Sequence, residues 1–546
     1  MKTEIPWDVY PRPQLRRESY VNLNGVWEFA AAKPGQSPDY SQTVTVPYPV
    51  GSQLSGVTET FPEDTVLWYR REVRLDAAPA HGRLLLHCGG VDQQAEVYVD
   101  GERVGALSTL EDTVELPPSA CFVLDLAATD RLSEGIVPYG KQRYDRGGMW
   151  YTPYSGFWQT VWLELVPENY VKALRFTAIP GGVRIEAEGV RDGEIVCEGR
   201  TYPLSGGTAE VCPPEPEFWS PEHPRLYAFT LTAGEDVVAS YFALRTLEIR
   251  TVDGVPRLCL NGKPYFFHGL LDQGWWPDGL STPKEPADYE RDILAMKRLG
   301  FNTLRKHIKV EPEIFYYDCD RLGMAVFQDM VNNGRYRFFH DTALPTVGFQ
   351  RLRCPAREKN RAFRWSFLNH MEHTVRTLAA HPCIVYWTIF NEGWSQFDGS
   401  AAYDRLRALD QSRFIDTTSG WFRDSKTDVE SRHVYFRKFR LPRAKKPVVL
   451  SEFGGCSLRE PGHCLYEKNY GYRKMENREA FAAALAQLYR DEILPAIPKG
   501  LCAAIYTQLS DVEEETNGLL TYDRAVCKIR PETLDAVTEA VRAANR

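Results

Sequence analysis

Two glutamates stand where apolar, strand-like runs break. Glu392 closes Cys383-Ile-Val-Tyr-Trp-Thr-Ile-Phe-Asn-Glu-Gly-Trp394, and Glu452 lies near the end of Pro447-Val-Val-Leu-Ser-Glu-Phe-Gly-Gly455. Both runs have the composition of strands covered on both faces. A carboxylate at the C-terminal end of such a strand looks into the mouth of a parallel barrel, where paired acids carry acid, base or nucleophile chemistry.

A barrel of that kind needs eight strands and intervening helices, and the sequence from about residue 249 supplies them. Candidate strands are Tyr265 to Asp272, Asn302 to His307, Ala325 to Asp329, the run ending at Glu392, Phe414 to Ser419, His433 to Phe436, the run ending at Glu452, and Cys502 to Gln508. Helical periodicity runs through Tyr289 to Leu299 and Phe367 to Ala380, and a last helix over Pro531 to Asn545 closes the ring with no domain expected after it. Upstream, short apolar stretches alternate with turns, as in Gly25-Val-Trp-Glu-Phe-Ala and Ala95-Glu-Val-Tyr-Val-Asp-Gly. The expected architecture is therefore multidomain: an N-terminal jelly-roll β-sandwich over 1–168, an immunoglobulin-like β-sandwich over 169–248, and a C-terminal (β/α)8 TIM barrel over 249–546. The Pro-rich stretch Cys212 to Pro221 falls inside the second sandwich as a strand connection.

Other side chains at strand ends look into the same mouth. Asp272 and Gln273 end the first strand, Arg305 and His307 the second, Asp329 the third, His433 and Tyr435 the sixth, Tyr506 and Gln508 the eighth. For His307 and His433, hydrogen bonding to a ligand and simple structural satisfaction stand side by side. Trp275, Trp276, Trp394 and Trp421 follow strands, where an aromatic face serves a ligand or packs the barrel rim. The segment 335–364 holds Arg335, Arg337, Arg351, Arg353, Arg357, Lys359, Arg361 and Arg364 against only Asp341 and Glu358. That patch reads either as an anion site or as a solvated or oligomer-contact surface.

Composition narrows the partner. A net charge of −8 over 546 residues, with no long run of one sign, favours neither nucleic acid nor a membrane surface. The N-terminus has no apolar signal region and no stretch reaches the length of a membrane span, which places the chain in the cytoplasm. The twelve cysteines are scattered, with no C-x-x-C pair, and read as reduced, buried thiols. No His, Cys or acidic set has metal-ligand spacing and no phosphate-binding glycine loop joins the barrel, so no metal or cofactor is required.

Along essentially its whole length the chain resembles glycoside hydrolase family 2, the family of β-galactosidases, β-glucuronidases and β-mannosidases. The resemblance is carried by Leu23-Asn-Gly-Val-Trp-Glu-Phe, Ser155-Gly-Phe-Trp-Gln-Thr-Val-Trp-Leu, Phe218-Trp-Ser-Pro-Glu-His-Pro-Arg-Leu-Tyr, Leu260-Asn-Gly-Lys-Pro, Gly300-Phe-Asn-Thr-Leu-Arg, Asn391-Glu392 and Ser451-Glu-Phe-Gly. It implies that Glu392 is the acid/base and Glu452 the nucleophile of a retaining exo-β-glycosidase acting on an oligosaccharide or glycoconjugate. Asn391 matches the asparagine that bonds the sugar 2-hydroxyl, and Arg305 the arginine kept near the nucleophile. Retention needs carboxyls about 5 to 5.5 Å apart, and the charge of Glu452 then keeps Glu392 protonated until the glycosyl ester forms. Some β-galactosidases of the family use magnesium near the acid/base, but matching ligands are not identifiable, which leaves a divalent cation open.

The sugar is less determined. Glucuronide-specific members carry Asn-x-Lys after the eighth strand; here Asn517 is followed by Gly518 and Leu519. A neutral hexoside, a galactoside first, is the expectation. A uronide read by the basic 335–364 insertion, a transglycosylase, and a glycan-binding protein without catalysis are the alternatives. A homo-oligomer is also open.

Overall fold

The computed structural model describes residues 5–76, 81–332, 344, 358–424 and 426–545. Period-two alternation of apolar residues builds the first part. In Gly25–Ala32 the side chains of Trp27 and Phe29 point inward while Glu28 stays outside, and Leu67, Tyr69 and Val73 do the same from Val66–Arg74. The result is two antiparallel sheets. One has six strands in the order Gln42–Val46, Gly25–Ala32, Val66–Arg74, Cys121–Thr129, Gln94–Val99, Glu102–Leu107. The other has four, Tyr20–Asn22, Val161–Val166, Arg83–Cys88, Asp112–Leu116, and Leu84, Leu86, Leu124, Leu126, Phe157 and Leu163 fill the space between them.

A second, smaller sandwich follows. Ala173–Ile179, Gly182–Glu188 and Thr208–Val211 face Arg200–Leu204, Gly193–Cys197, Tyr227–Ala233 and Asp236–Phe242 across a core of Ile185, Ile195, Phe229, Leu231 and Phe242. The Pro-rich stretch does connect two of these strands, and it also docks the barrel: Trp219 is fully buried and its indole N–H donates to the Asp320 carbonyl at 2.8 Å. Arg17 ties the two sandwiches together. Its guanidinium meets Asp236 at 2.8 Å, Glu164 at 3.0 Å and the Val171 carbonyl at 2.6 Å, all buried.

The hairpin Leu247–Val252 and Val255–Leu260 then inserts Leu258 and Leu260 among Phe267, Ala325, Val385, Phe414 and Val449, residues near the N-terminal ends of the barrel strands. The barrel sheet is parallel throughout and runs Phe414–Ser419, Ile384–Asn391, Ala325–Asp329, Thr303–Lys306, Phe267–Asp272, Leu501–Thr507, Val448–Gly454, Glu430–Val434. Fifth and sixth strands do not share a regular ladder. Their seam is closed instead by Ser431, whose hydroxyl donates to Asp416 at 3.0 Å and lies 3.4 Å from the Gly420 amide.

Several expectations shift. The sixth strand is Glu430–Val434, earlier than His433 to Phe436, because its ladder with the seventh ends at Val434 after a bulge at Arg432/His433. The eighth is Leu501–Thr507, which leaves Gln508 just beyond it. The last helix is a 3-10 turn over Pro531–Leu534 followed by α-helix Asp535–Ala544. Among the described cysteines all are free, but Cys121, Cys212 and Cys527 are exposed rather than buried. No described helix is long and apolar enough to cross a membrane.

Breaking a buried ion pair from one side leaves a charge without its partner, whereas exposed pairs contribute little. Arg17→Ala is expected to lower unfolding stability by about 3 to 5 kcal/mol. Arg83→Ala, which removes the exposed contacts to Glu115 and Glu168, should cost far less, because solvent screens those pairs. Urea titrations of the two variants check the contrast; equal losses would refute it.

Candidate active site

The seventh strand carries Glu452 into the barrel mouth just past a register shift between Leu450 and Phe453, in a run buried up to Phe453. Glu392 is the first residue past the fourth strand. Its φ of +51° turns the chain sharply there, and its amide donates to the Ser419 carbonyl of the fifth strand at 3.0 Å. That left-handed conformation is unfavourable for a residue with a Cβ and is held only by the surrounding bonds. One carboxylate oxygen of each glutamate and a ring nitrogen of His433 lie within 4.8 Å of one another. Both glutamates are buried.

Arg305, at 0% exposure, joins these groups. Its Nη1 donates to Glu452 Oε1 at 2.9 Å and to the Ser451 carbonyl at 3.0 Å, its Nη2 to Asn391 Oδ1 at 2.9 Å, and its Nε to Asp329 Oδ1 at 3.0 Å. Asp329 in turn accepts from His307 Nδ1 at 2.9 Å. Burial would raise the Asp329 carboxyl, but Arg305 and His307 outweigh it and hold it below its ordinary range. For Glu452 burial prevails and the carboxyl is pushed up, against the pull of Arg305, the Tyr435 hydroxyl and Lys141. The Tyr435 phenol, driven well above its usual range by burial and by Glu452, stays protonated and donates to Glu452 Oε2. Its ring stacks on Tyr472 at 4.0 Å and 8°.

Both histidines are neutral. Burial, then Lys141, depresses His307 to about 3, and burial with Arg305 and His307 pushes His433 well below its ordinary value. His433 Nδ1 lies 2.7 Å from Glu392 Oε1. Among the described residues, Glu392, His433 and Glu452 are the one group of metal-ligating side chains close enough to share an ion. The guanidinium already fixed on Glu452 supplies the positive charge at that point, so the donor set does not fit a metal ion.

Strand alternation separates the remaining candidates. On the eighth strand Ile505 and Thr507 face inward, and the Thr507 hydroxyl meets Tyr435 at 2.9 Å. Tyr506 therefore faces outward, edge-on to Phe453 at 5.7 Å in the layer under the helices. Asp272 is outward for the same reason, ion-paired to Lys306 at 2.8 Å beside Glu311. Neither joins the carboxylate pair. Gln273 and Gln508 bond each other at 2.8 Å, each leaving one buried amide atom without a protein partner. Trp394 packs on Trp150 at 5.1 Å, Trp275 on Tyr151 and Tyr154, Trp276 under Arg524 at 4.0 Å, and Trp421 beside His433. Of the basic segment, Arg335, Arg337, Arg351, Arg353 and Arg357 lie outside the described residues, while Arg364 donates to the Glu358 carbonyl at 2.6 Å.

Lys141 is the residue that reading along the barrel missed. It comes from a loop of the first sandwich, is buried between Tyr151 (5.4 Å to the ring) and Trp394 (6.0 Å), and lies in the field of Glu515, Glu452 and Glu392. Strand-end logic within one domain cannot find a residue that another domain delivers. Lys141, Gln142, Gln273 and His307 line one small cavity between sandwich and barrel.

Fold and site together define a multidomain protein with a buried carboxylate pair at the mouth of an eight-stranded parallel barrel. Residues 252–464 match the model of the family 2 glycosyl hydrolase TIM barrel domain. By this match, residues 252–464 form a TIM barrel domain of glycosyl hydrolase family 2. The chain is 24% identical over 436 residues to a β-galactosidase of Thermoanaerobacter pseudethanolicus, covering 71% of this chain and 54% of that one. It is also 24% identical over 480 residues to the β-glucuronidase of Felis catus, covering 74% and 69%. The chain thus spans about half the length of that galactosidase. In structure it resembles a β-galacturonidase from Eisenbergiella tayi bound to galacturonate, with a TM-score of 0.69, 18% identity and 98% and 99% of the two chains covered. An uncultured Clostridium β-glucuronidase gives a TM-score of 0.73 at 17% identity, covering 97% and 99%.

Removing the Arg305 charge leaves Asp329 and Glu452 facing each other in a dry interior. Arg305→Met is expected to cost about 3 to 5 kcal/mol near neutral pH. Both carboxyls would then titrate above their unfolded values, so the variant gains stability as pH falls through that range; Asp329 in the unaltered protein, held low, loses its contribution on acidification. Urea midpoints at pH 7.5 and pH 5.5, chosen as about two units apart across the carboxylate range, test this: a deficit that does not shrink at the lower pH contradicts it.

Proposed function

We propose that the protein is a retaining exo-β-glycosidase with Glu452 as nucleophile and Glu392 as acid/base. The observation that carries the reading is the approach of the two carboxyls to within 4.8 Å, one bonded by Arg305 and Tyr435 and the other by His433. An oxygen of Glu452 attacks the anomeric carbon as the glycosidic C–O bond breaks, and the Glu392 proton passes to the leaving oxygen. With Glu452 esterified, Glu392 takes a proton from water, whose oxygen displaces Glu452 and restores the original configuration. Arg305 and Tyr435 stabilise the carboxylate that leaves in that second step. Asn391, fixed by Arg305 and by its own amide on Asn332 Oδ1 at 3.1 Å, is placed to bond a sugar hydroxyl.

A β-galactoside is the first reading of the sugar. The stretch after the eighth strand presents Glu513, Glu514 and Glu515, with Asn517 bonded to Glu515 at 3.2 Å, a surrounding that repels a carboxylate. A β-uronide is the second reading, and Lys141 favours it. Among the described residues none hydrogen-bonds to its buried ammonium group, and the solved structures resembling this fold include a galacturonidase and glucuronidases.

A panel of aryl β-glycosides decides between them. Glu452→Ala should abolish turnover of whichever sugar is cleaved, and Glu392→Gln should slow poor leaving groups far more than dinitrophenol. NMR should show the β-anomer as first product; the α-anomer would rule out retention. If the sugar is a uronide, Lys141→Met should lower its kcat/KM about 10- to 100-fold, the worth of a charge-assisted hydrogen bond. An equal loss on uronide and galactoside would remove Lys141 as the carboxylate reader.

A further inference from the structure

We propose that His433 is the positioning residue of Glu392: an imidazole protonated on Nδ1 that holds Oε1 of the acid/base carboxyl and so fixes the transferable proton on Oε2. The inference rests on the retaining reading above, and it moves His433 out of the substrate-binding set in which the sequence placed it.

His433 stands at the seam between the fifth and sixth strands, just after the bulge that breaks the sixth. Gly420, with φ +94°, backs directly onto the ring; a Cβ there would lie 2.5 Å from the ring atoms. Trp421 meets the ring at 6.2 Å and 68°. The imidazole is thus held in one orientation, with Nδ1 toward Glu392 Oε1 at 2.7 Å and Nε2 toward Arg305 Nη1 at 3.3 Å, Ser419 Oγ at 3.1 Å and Glu452 Oε1 at 3.5 Å. A guanidinium has donors and no acceptor. A proton on Nε2 would point at that fixed cation, so Nε2 keeps its lone pair and Nδ1 carries the N–H. The Ser419 hydroxyl also lies 3.0 Å from Ser451 Oγ, so its one proton serves either that oxygen or the Nε2 lone pair.

The charged and titratable groups around the pair all act on this choice. Arg305 and His307 oppose a second proton on the ring. Glu452, Lys141, Tyr435 and Tyr472 face Glu392 from the seventh strand, the sandwich loop and the loops flanking the seventh strand. With Nδ1–H aimed at Oε1, the carboxyl proton of Glu392 resides on Oε2. When that proton passes to the leaving oxygen, the new carboxylate is received by a hydrogen bond already in place, stronger to the charged form than to the neutral one. When water attacks, its proton returns to the same oxygen. His433 therefore favours the ionised form of Glu392, and its loss should extend the protonated form to higher pH.

The test compares kcat/KM against pH for the unaltered protein, His433→Leu and His433→Asn, on an aryl glycoside that the unaltered protein cleaves. In His433→Leu the alkaline limb should move up by about one pH unit, with kcat falling about tenfold or more on poor leaving groups. His433→Asn, whose amide offers a donor at the place of Nδ1, should keep the original limb. A space-filling histidine would lower stability in both variants and leave the limb where it was, which would overturn the proposal. A second measurement needs no activity. In protein labelled with ¹⁵N-histidine, the signal lost in His433→Asn should show a protonated Nδ1 and a bare Nε2, and the reverse pattern overturns the proposal even if His433→Leu fails to fold. If the unaltered protein cleaves no glycoside, the retaining reading falls, while the nitrogen signals still judge His433.

Discussion

A guanidinium taken out of water must be met by acceptors on every side or it destabilises the fold by several kcal/mol, and Arg305 is taken out of water completely. Its five N–H groups fix what can stand around it. Glu452 and Asp329 supply the charge, Asn391 and the Ser451 carbonyl the remaining acceptors. Three barrel strands besides its own are thereby locked in register at their C-terminal ends. The same charge sets the protonation of the neighbours: it holds Asp329 ionised, keeps His433 neutral, and limits how far burial can raise Glu452. Placement of Glu452 and Asp329, and how far burial can shift their ionisation and that of His433, thus depend on one buried cation.

What could be read from the chain, and what could not, follows from the range of the forces involved. Composition and local pattern act within a strand, so Ala325–Asp329 and Phe414–Ser419 are bounded as the apolar runs indicate, and Glu392 and Glu452 fall at strand ends. The direction of a side chain depends on alternation counted from inside the barrel, which the sequence does not label. Tyr506 and Asp272 sit at strand ends yet face the helices, while Thr507, next to Tyr506, faces in. The sixth strand shows the same limit: its end is set by a bulge against the seventh strand, and a bulge depends on the partner. Tyr472 was not legible at all, because its tie to the site is a stack on Tyr435 made by a loop beyond the seventh strand.

The aromatic residues around the mouth illustrate how packing and function compete for the same positions. Trp275, Trp276 and Trp394 follow strands, as ligand-stacking tryptophans do, but each is buried against a ring or a guanidinium from elsewhere in the chain. Their partners Tyr151, Tyr154 and Trp150 belong to the loop that closes the first sandwich. The rim of the barrel is therefore joined to the sandwich by an aromatic layer that borders the small cavity between them.

That joint explains why a sandwich remote in sequence bears on the chemistry. The loop that supplies Tyr151 and Trp150 also supplies Lys141, and the aromatic contacts on either side hold its ammonium within the field of both glutamates. Lys141 lowers Glu452 and His307 at once, so it acts on the ionisation of the barrel's own residues from outside the barrel. Arg305 can pair Glu452 and Asp329 but cannot neutralise Glu515 and Glu392 as well. The second cation must enter from the open end of the barrel, because the other end is plugged by Leu258 and Leu260. The sandwich loop that carries Lys141 reaches that end, so the ionisation of Glu452 and His307 depends on the sandwich staying docked.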